Sequence, residues 1–136
     1  MTKEVNVQRL VSKGLRSVGV HVMRVSNTAL PGTPDLAFVA HGKDGWLELK
    51  IGEITTGRLA VKTQTKQQVA WMRDHARVSG RAFTLVRMRY EWLLFDASGS
   101  QIMADMKIED ARGICRWIGG RPISWHELSL ALASVR

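Results

Sequence analysis

From Lys3 to about Ser17 the residues Val7, Leu10, Val11, Gly14 and Val18 recur at spacings of three and four. Basic Arg9, Lys13 and Arg16 fill much of the remainder. That period predicts a helix with one buried face, ended by Gly19. The pattern then changes. The run VGVHVMRV is β-branched and alternating, which predicts a strand. Turn formers crowd the following SNTALPGTP. Residues 35–40 and 46–51 alternate again on either side of the turn HGKDG, predicting a second and third strand in an antiparallel hairpin.

The polar GEITTGRLAVKTQ carries glycine at both ends of EITT and reads as a mobile loop or a short ribbon. A helix begins at Thr65, because Thr65 and Gln68 stand at the spacing at which the two side chains satisfy each other's free backbone donors. Val69, Met72 and Ala76 mark its buried stripe, and Gly80 its stop. AFTLVRM and EWLLFD predict two more strands, and KIEDARGICRWIGG a helix closed by Gly119 and Gly120. Ser124 and Glu127 form a second capping pair, with Leu128, Ala131, Leu132 and Val135 as the apolar face behind it. The order is therefore helix, three strands, helix, two strands and two helices. This predicts an α/β fold with a mixed central sheet flanked by helices. No repeat, low-complexity run or linker divides the 136 residues. One domain is expected, its core at about 3–88 and a C-terminal extension at 89–136.

Composition narrows the setting. No apolar run approaches the roughly 20 residues that span a bilayer, and MTKEVNVQRL lacks the apolar stretch of a secretory signal. The lone Cys115 excludes an internal disulfide framework. A cytoplasmic protein is expected, of a bacterium or of a phage or plasmid acting in its host. Twenty Lys and Arg against 12 Asp and Glu leave a net charge of +8, which points to a polyanionic partner such as nucleic acid. The basic residues are scattered, as suits a folded surface that tracks a phosphate backbone.

Against that positive background, the carboxylates of PGTPDLAFVAHGKDGWLELK stand out. Side chains alternate between the faces of a strand, so Trp46, Glu48 and Lys50 share one face and Leu47, Leu49 and Ile51 the other. Glu48 and Lys50 are then about 7 Å apart. The hairpin folds Asp35 back beside Glu48, within reach of one ion. Two such carboxylates repel, and one pKa should rise unless a cation intervenes. Mg²⁺ fits the need, taking the Asp35 and Glu48 oxygens and the Leu49 carbonyl and keeping several waters. Lys50 beside it would orient the attacking water or stabilise the transition state of phosphodiester hydrolysis. The competing reading makes Glu48 and Lys50 the solvent face of an edge strand.

TPDLAF followed by GWLELK resembles the signature of the PD-(D/E)XK nuclease superfamily, with Pro34-Asp35 as its PD and Glu48-Leu49-Lys50 as its ExK. Within it the chain is most similar to the VRR-NUC and Holliday-junction-resolvase branches, where a loop like PGTPDL precedes the acidic strand. The resemblance covers roughly residues 3–88 and implies a restriction-endonuclease-like αβββαβ core. It also implies an acidic residue on the first helix, which selects Glu4 as a catalytic and metal-binding candidate. The alternative for Glu4 is an acid favoured by the helix dipole. Gln8 four residues on would complete a Glu-xxx-Gln pair, or else lie on the surface. TKQQVAW matches a Thr-x-x-Gln-x-x-Trp pattern that places Gln68 near the catalytic lysine, with Gln67 in reserve.

The resemblance thus implies a Mg²⁺-dependent DNA endonuclease, with Mn²⁺ as a substitute, selective for branched or junction DNA and acting as a homodimer. Arg9, Lys13, Arg16, Arg58, Lys62 and Lys66 are the candidate phosphate contacts. The last helix is a candidate dimer contact, or packs on its own chain. The alternatives are a non-catalytic nucleic-acid-binding module and a nickase or exonuclease without junction selectivity. His21, His41, His75, His126 and Cys115 read as structural.

Overall fold

The computed structural model describes residues 3–25, 32–62, 65–77 and 81–134, with side chains from Asn6 onward. Its elements are α1 (Lys3–Ser17), β1 (His21–Arg24), β2 (Leu36–Ala40), β3 (Lys43–Thr55), β4 (Arg58–Val61) and α2 (Lys66–Arg77). They continue as β5 (Ala82–Arg87), β6 (Trp92–Asp96), α3 (Ala97–Ile102), α4 (Ile108–Ile114), β7 (Trp117–Gly119) and α5 (Trp125–Ala133). The strands form one mixed sheet in the order β1-β2-β3-β5-β6-β7, with β4 hung on the far end of β3. Among the described residues, no helix is long and apolar enough to cross a membrane.

β3 is central. It pairs antiparallel with β2 on one side and parallel with β5 on the other, and the α2 crossover makes the parallel pairing possible. One face of the sheet carries α1 and α5. There Val7, Val11, Leu15, Leu128 and Leu132 bury Leu36, Leu47, Leu49, Leu85 and Leu94. On the other face, Met72 and Trp71 of α2 cover Trp46 and Ala82. Met103, Ile108 and Ala111 cover Val86, Leu93 and Phe95 beside them. The face bearing Glu48 and Lys50 is thus apolar at both ends and polar between.

One open reading is decided and two expectations are revised. Of loop and ribbon, the polar GEITTGRLAVKTQ segment takes the ribbon: the 13-residue β3 runs on to Thr55. Thr56 and Gly57, both with positive φ (50° and 75°), then reverse the chain into β4. Two left-handed residues in succession match the right-handed twist of the flanking strands, so a tight ribbon forms. The helix predicted over 107–120 stops at Ile114, and Trp117–Gly119 is the sheet's edge strand. Cys115 is already extended, and the Arg116 amide donates to Leu94 O, so the open edge of β6 takes the segment. α3 was not anticipated. Asp96 ends β6 and caps α3, its carboxylate accepting from the Gly99 amide at 2.8 Å. Gly80 and Val135 lie outside the described residues.

The apolar face of α5 packs on its own chain, with Leu128 and Leu132 fully buried. It is therefore not available as the dimer contact considered above. Trp125 lies against Gly14 of α1, where a β-carbon would run into the indole ring. Gly14→Ala is expected to destabilise the protein by about 1–3 kcal/mol through overpacking. A lowered thermal midpoint, rescued by also shortening Trp125 to leucine, is the measurement that checks it.

Candidate active site

The register Leu36↔Leu47 continues by one position to set Asp35 opposite Glu48, at the mouth of β2. The hairpin turn decides this, and a slip by one residue would move every side chain to the other face. Both Asp35 oxygens are held. Oδ2 accepts from the Leu49 amide at 2.9 Å, and Oδ1 from Gln8 Nε2 at 3.2 Å. Gln8 in turn accepts from Arg24 Nη2 at 3.2 Å, so a relay from β1 through α1 fixes the aspartate.

Glu48 and Lys50 are 5% and 7% exposed, which removes the reading that they decorate a solvent-facing edge. Strands covered on both faces usually read as continuous apolar runs, and these two residues break the run. The Lys50 ammonium lies 3.7 Å from Glu48 Oε2. Gln68 Nε2 donates to that same oxygen at 2.8 Å. The other end of the Gln68 amide and its backbone close the predicted cap on Thr65, at 2.9 and 3.1 Å. One side chain thus serves both readings of Gln68: its oxygen caps the helix and its nitrogen holds the glutamate. Gln67 is exposed.

Burial first, and then the charge of Asp35, push the Glu48 carboxyl up to about 8, against the opposing pull of Lys50. Near neutral pH the glutamate is therefore mostly protonated, and its contact with Lys50 is only partly an ion pair. Glu48 Oε1 is buried and accepts no hydrogen bond among the described residues. A buried acceptor without a donor is costly, and here it sits beside a second carboxylate. No group of three or more His, Cys, Asp and Glu among the described residues is gathered to hold a metal. The donors brought together are two carboxylates. Such hard donors suit Mg²⁺ or Mn²⁺, and the orphaned Glu48 oxygen fits a cation that keeps waters for its remaining positions.

Glu4 falls on the first turn of α1, and its side chain lies outside the described residues. The six basic candidates are spread over α1, the β3–β4 ribbon and the entry to α2. Arg9 and Lys13 are exposed on α1, while Arg16 is tied to Val22 O at 2.9 Å. Arg58 sits at the tip of the β3–β4 ribbon and donates to Asp105 O. Lys62 and Lys66 are exposed beside the entry to α2. Sequence reasoning missed Arg24, for which no local signal exists; the register Arg24↔Leu36 alone brings it to the site. His21 is exposed on β1, whereas His41 lies 3.0 Å from Ser129 Oγ and edge-on to His126. His75 stacks on Trp71 with centroids 4.8 Å apart, and burial pushes the Cys115 thiol up to about 12.

No protein-family model matches the chain, and no curated protein matches it. Among solved structures, the chain is similar to Hjc of Archaeoglobus fulgidus, a Holliday junction resolvase from an archaeal hyperthermophile. The TM-score is 0.52 at 18% sequence identity, over 69% of this chain and 76% of the other. At that identity the likeness is one of fold: a mixed sheet flanked by helices, as in the resolvase.

Proposed function

We propose that the chain is a divalent-metal-dependent DNA endonuclease of the PD-(D/E)XK kind, selective for branched DNA and acting as a homodimer. The observation that carries the reading is the gathering of buried Glu48 and Lys50 with half-buried Asp35 and Gln68 around one carboxylate oxygen that has no partner among the described residues. A fold gains nothing in stability from a buried glutamate whose charge is opposed by a neighbouring aspartate, so the arrangement calls for a ligand.

In this reading Asp35, Glu48 and the Leu49 carbonyl would hold Mg²⁺ or Mn²⁺, with Glu4 supporting a second ion or positioning Lys50. When bound, the cation polarises the scissile phosphate and acidifies water. The chain supplies the rest. Gln8 and the Leu49 amide fix both Asp35 oxygens, so the carboxylate is aimed before substrate arrives. Gln68 holds Glu48 from the far side. Lys50, buried and rigid, presents its ammonium where negative charge develops and orients the attacking water. Arg9, Lys13, Lys62 and Lys66 remain candidate phosphate contacts around this centre. Arg16 and Arg58 are also candidates, each with a backbone carbonyl already engaged. The likeness of fold to a junction resolvase supports branched DNA as substrate, and two symmetric cuts on one junction would ask for two copies of the chain.

Incubation with Mg²⁺ and a panel of linear, nicked, flapped and four-way DNA tests this. Cleavage of the four-way substrate ahead of the linear duplex is expected. Asp35→Ala and Lys50→Ala should each lower the rate about a thousandfold while binding and folding persist. Equal rates on every substrate would remove the selectivity. Tight binding without any cut would leave a binding module.

A further inference from the structure

A second charged feature lies beyond the carboxylates. A cleft of about 410 Å³ opens between Asn6 of α1, residues 51–53 of β3, Arg87–Arg89 at the end of β5, and Arg121 in the β7–α5 connection. Ile51 pairs directly with Arg87, so the cleft lies on the α1 face of the sheet, opposite the face that carries Glu48 and Lys50. Among the described residues that line it, three are arginines and Glu53 is the only acid. None of the three arginines forms an ion pair among the described residues.

Each arginine is nonetheless positioned. Arg121 Nη1 donates to Met88 O at 2.9 Å and Arg89 O at 3.3 Å, which leaves its remaining N–H donors free of protein partners among the described residues. Arg87 lies 5.8 Å from the centroid of Trp92, and Arg89 lies 5.2 Å from that of the exposed Tyr90. Aromatic faces and carbonyls thus hold cations that no carboxylate pairs with among the described residues. A planar guanidinium with free N–H donors matches the oxygens of a phosphate.

We propose that this cleft binds backbone phosphates of a DNA strand, with Arg89 and Arg121 as its principal contacts. The proposal rests on the nuclease reading for the strand's identity, but not for the binding itself. It gives the region after Met88 a role: besides extending the sheet, it carries Arg89 and Arg121, which complete a phosphate track begun by β5.

The test is equilibrium binding of the full chain to linear and four-way DNA in EDTA, from about 50 to about 200 mM salt. Arg89→Ala/Arg121→Ala is compared with Lys43→Ala/Arg77→Ala. The control pair is exposed at the β2–β3 turn and the last turn of α2, and it removes the same charge. The cleft pair should weaken binding about tenfold and make the salt slope shallower by about one for each phosphate no longer neutralised. The control should shift both far less. Because Arg121 also ties down two carbonyls, Arg89→Glu alone provides a second variant without that role, and it should weaken binding at least as much. Equal losses in both pairs, or none in the cleft pair, would overturn the proposal. Cleft-dependent binding by a chain that never cleaves would sink the nuclease reading and leave the cleft standing. Unchanged binding by an active nuclease would do the reverse.

Discussion

Glu48→Gln is expected to abolish cleavage and at the same time to stabilise the protein. The glutamate is buried, lifted to about 8 by desolvation and by Asp35, and one of its oxygens lacks a donor. A neutral amide of the same shape removes the repulsion and offers Asp35 an N–H to accept. Above neutral pH, where the wild-type carboxylate must ionise in place, the gain should be about 1–3 kcal/mol, seen as a thermal midpoint higher by several degrees. The amide is a much poorer ligand for a hard cation, so the rate should fall about a thousandfold or more. Opposed changes in stability and activity are what a site under electrostatic strain produces. A substitution that left cleavage intact would move the metal elsewhere. One that destabilised the protein would make Glu48 a structural hydrogen-bonding residue.

The second large effect is a pH dependence of stability that metal reverses. The ordinary value for Glu48 is 4.5 and the folded one about 8, so between those limits the folded chain holds a proton that the unfolded chain has lost. Stability contributed by this group is therefore complete below about pH 4.5 and is lost as pH rises through 8, by at most about 1.4 kcal/mol per pH unit. Subtracting the pH profile of Glu48→Gln from that of the wild type isolates this contribution from every other titration. Mg²⁺ competes with the proton for the same oxygens. At pH 8 a saturating concentration should restore about 2–3 kcal/mol, and at pH 5 far less. Chemical denaturation at both pH values, with and without Mg²⁺, gives the four numbers needed. A flat difference profile, or stabilisation by Mg²⁺ that ignores pH, would show that the carboxylates do not share a cation.

Most of the helices and strands were legible along the chain because their signals are local. The three- and four-residue spacing of Val7, Leu10 and Val11, the Thr65–Gln68 cap and the Ser124–Glu127 cap act within one or two turns. The hairpin placed Asp35 against Glu48 for the same reason, since a short turn leaves little choice of register. The failures were at segments whose fate depends on a distant partner. Residues 117–119 are β7 only because β6 offers them a free edge, and the choice of ribbon over loop after Ile51 was left open because it depends on β4 folding back on the end of β3.

The amino-acid sequence by itself determined which residue types meet at the hairpin, the alternation that puts Glu48 and Lys50 on one face, and the excess of positive charge around them. Only the tertiary structure decided that β3 is central, that both of its faces are covered, and that Gln8, Arg24 and Gln68 close around the carboxylates. Periodicity and capping are properties of neighbouring residues, whereas desolvation depends on every element packed above a side chain. The same Glu-Leu-Lys triplet on an exposed edge would be three ordinary strand residues; under α2 it is a strained acid beside a buried cation.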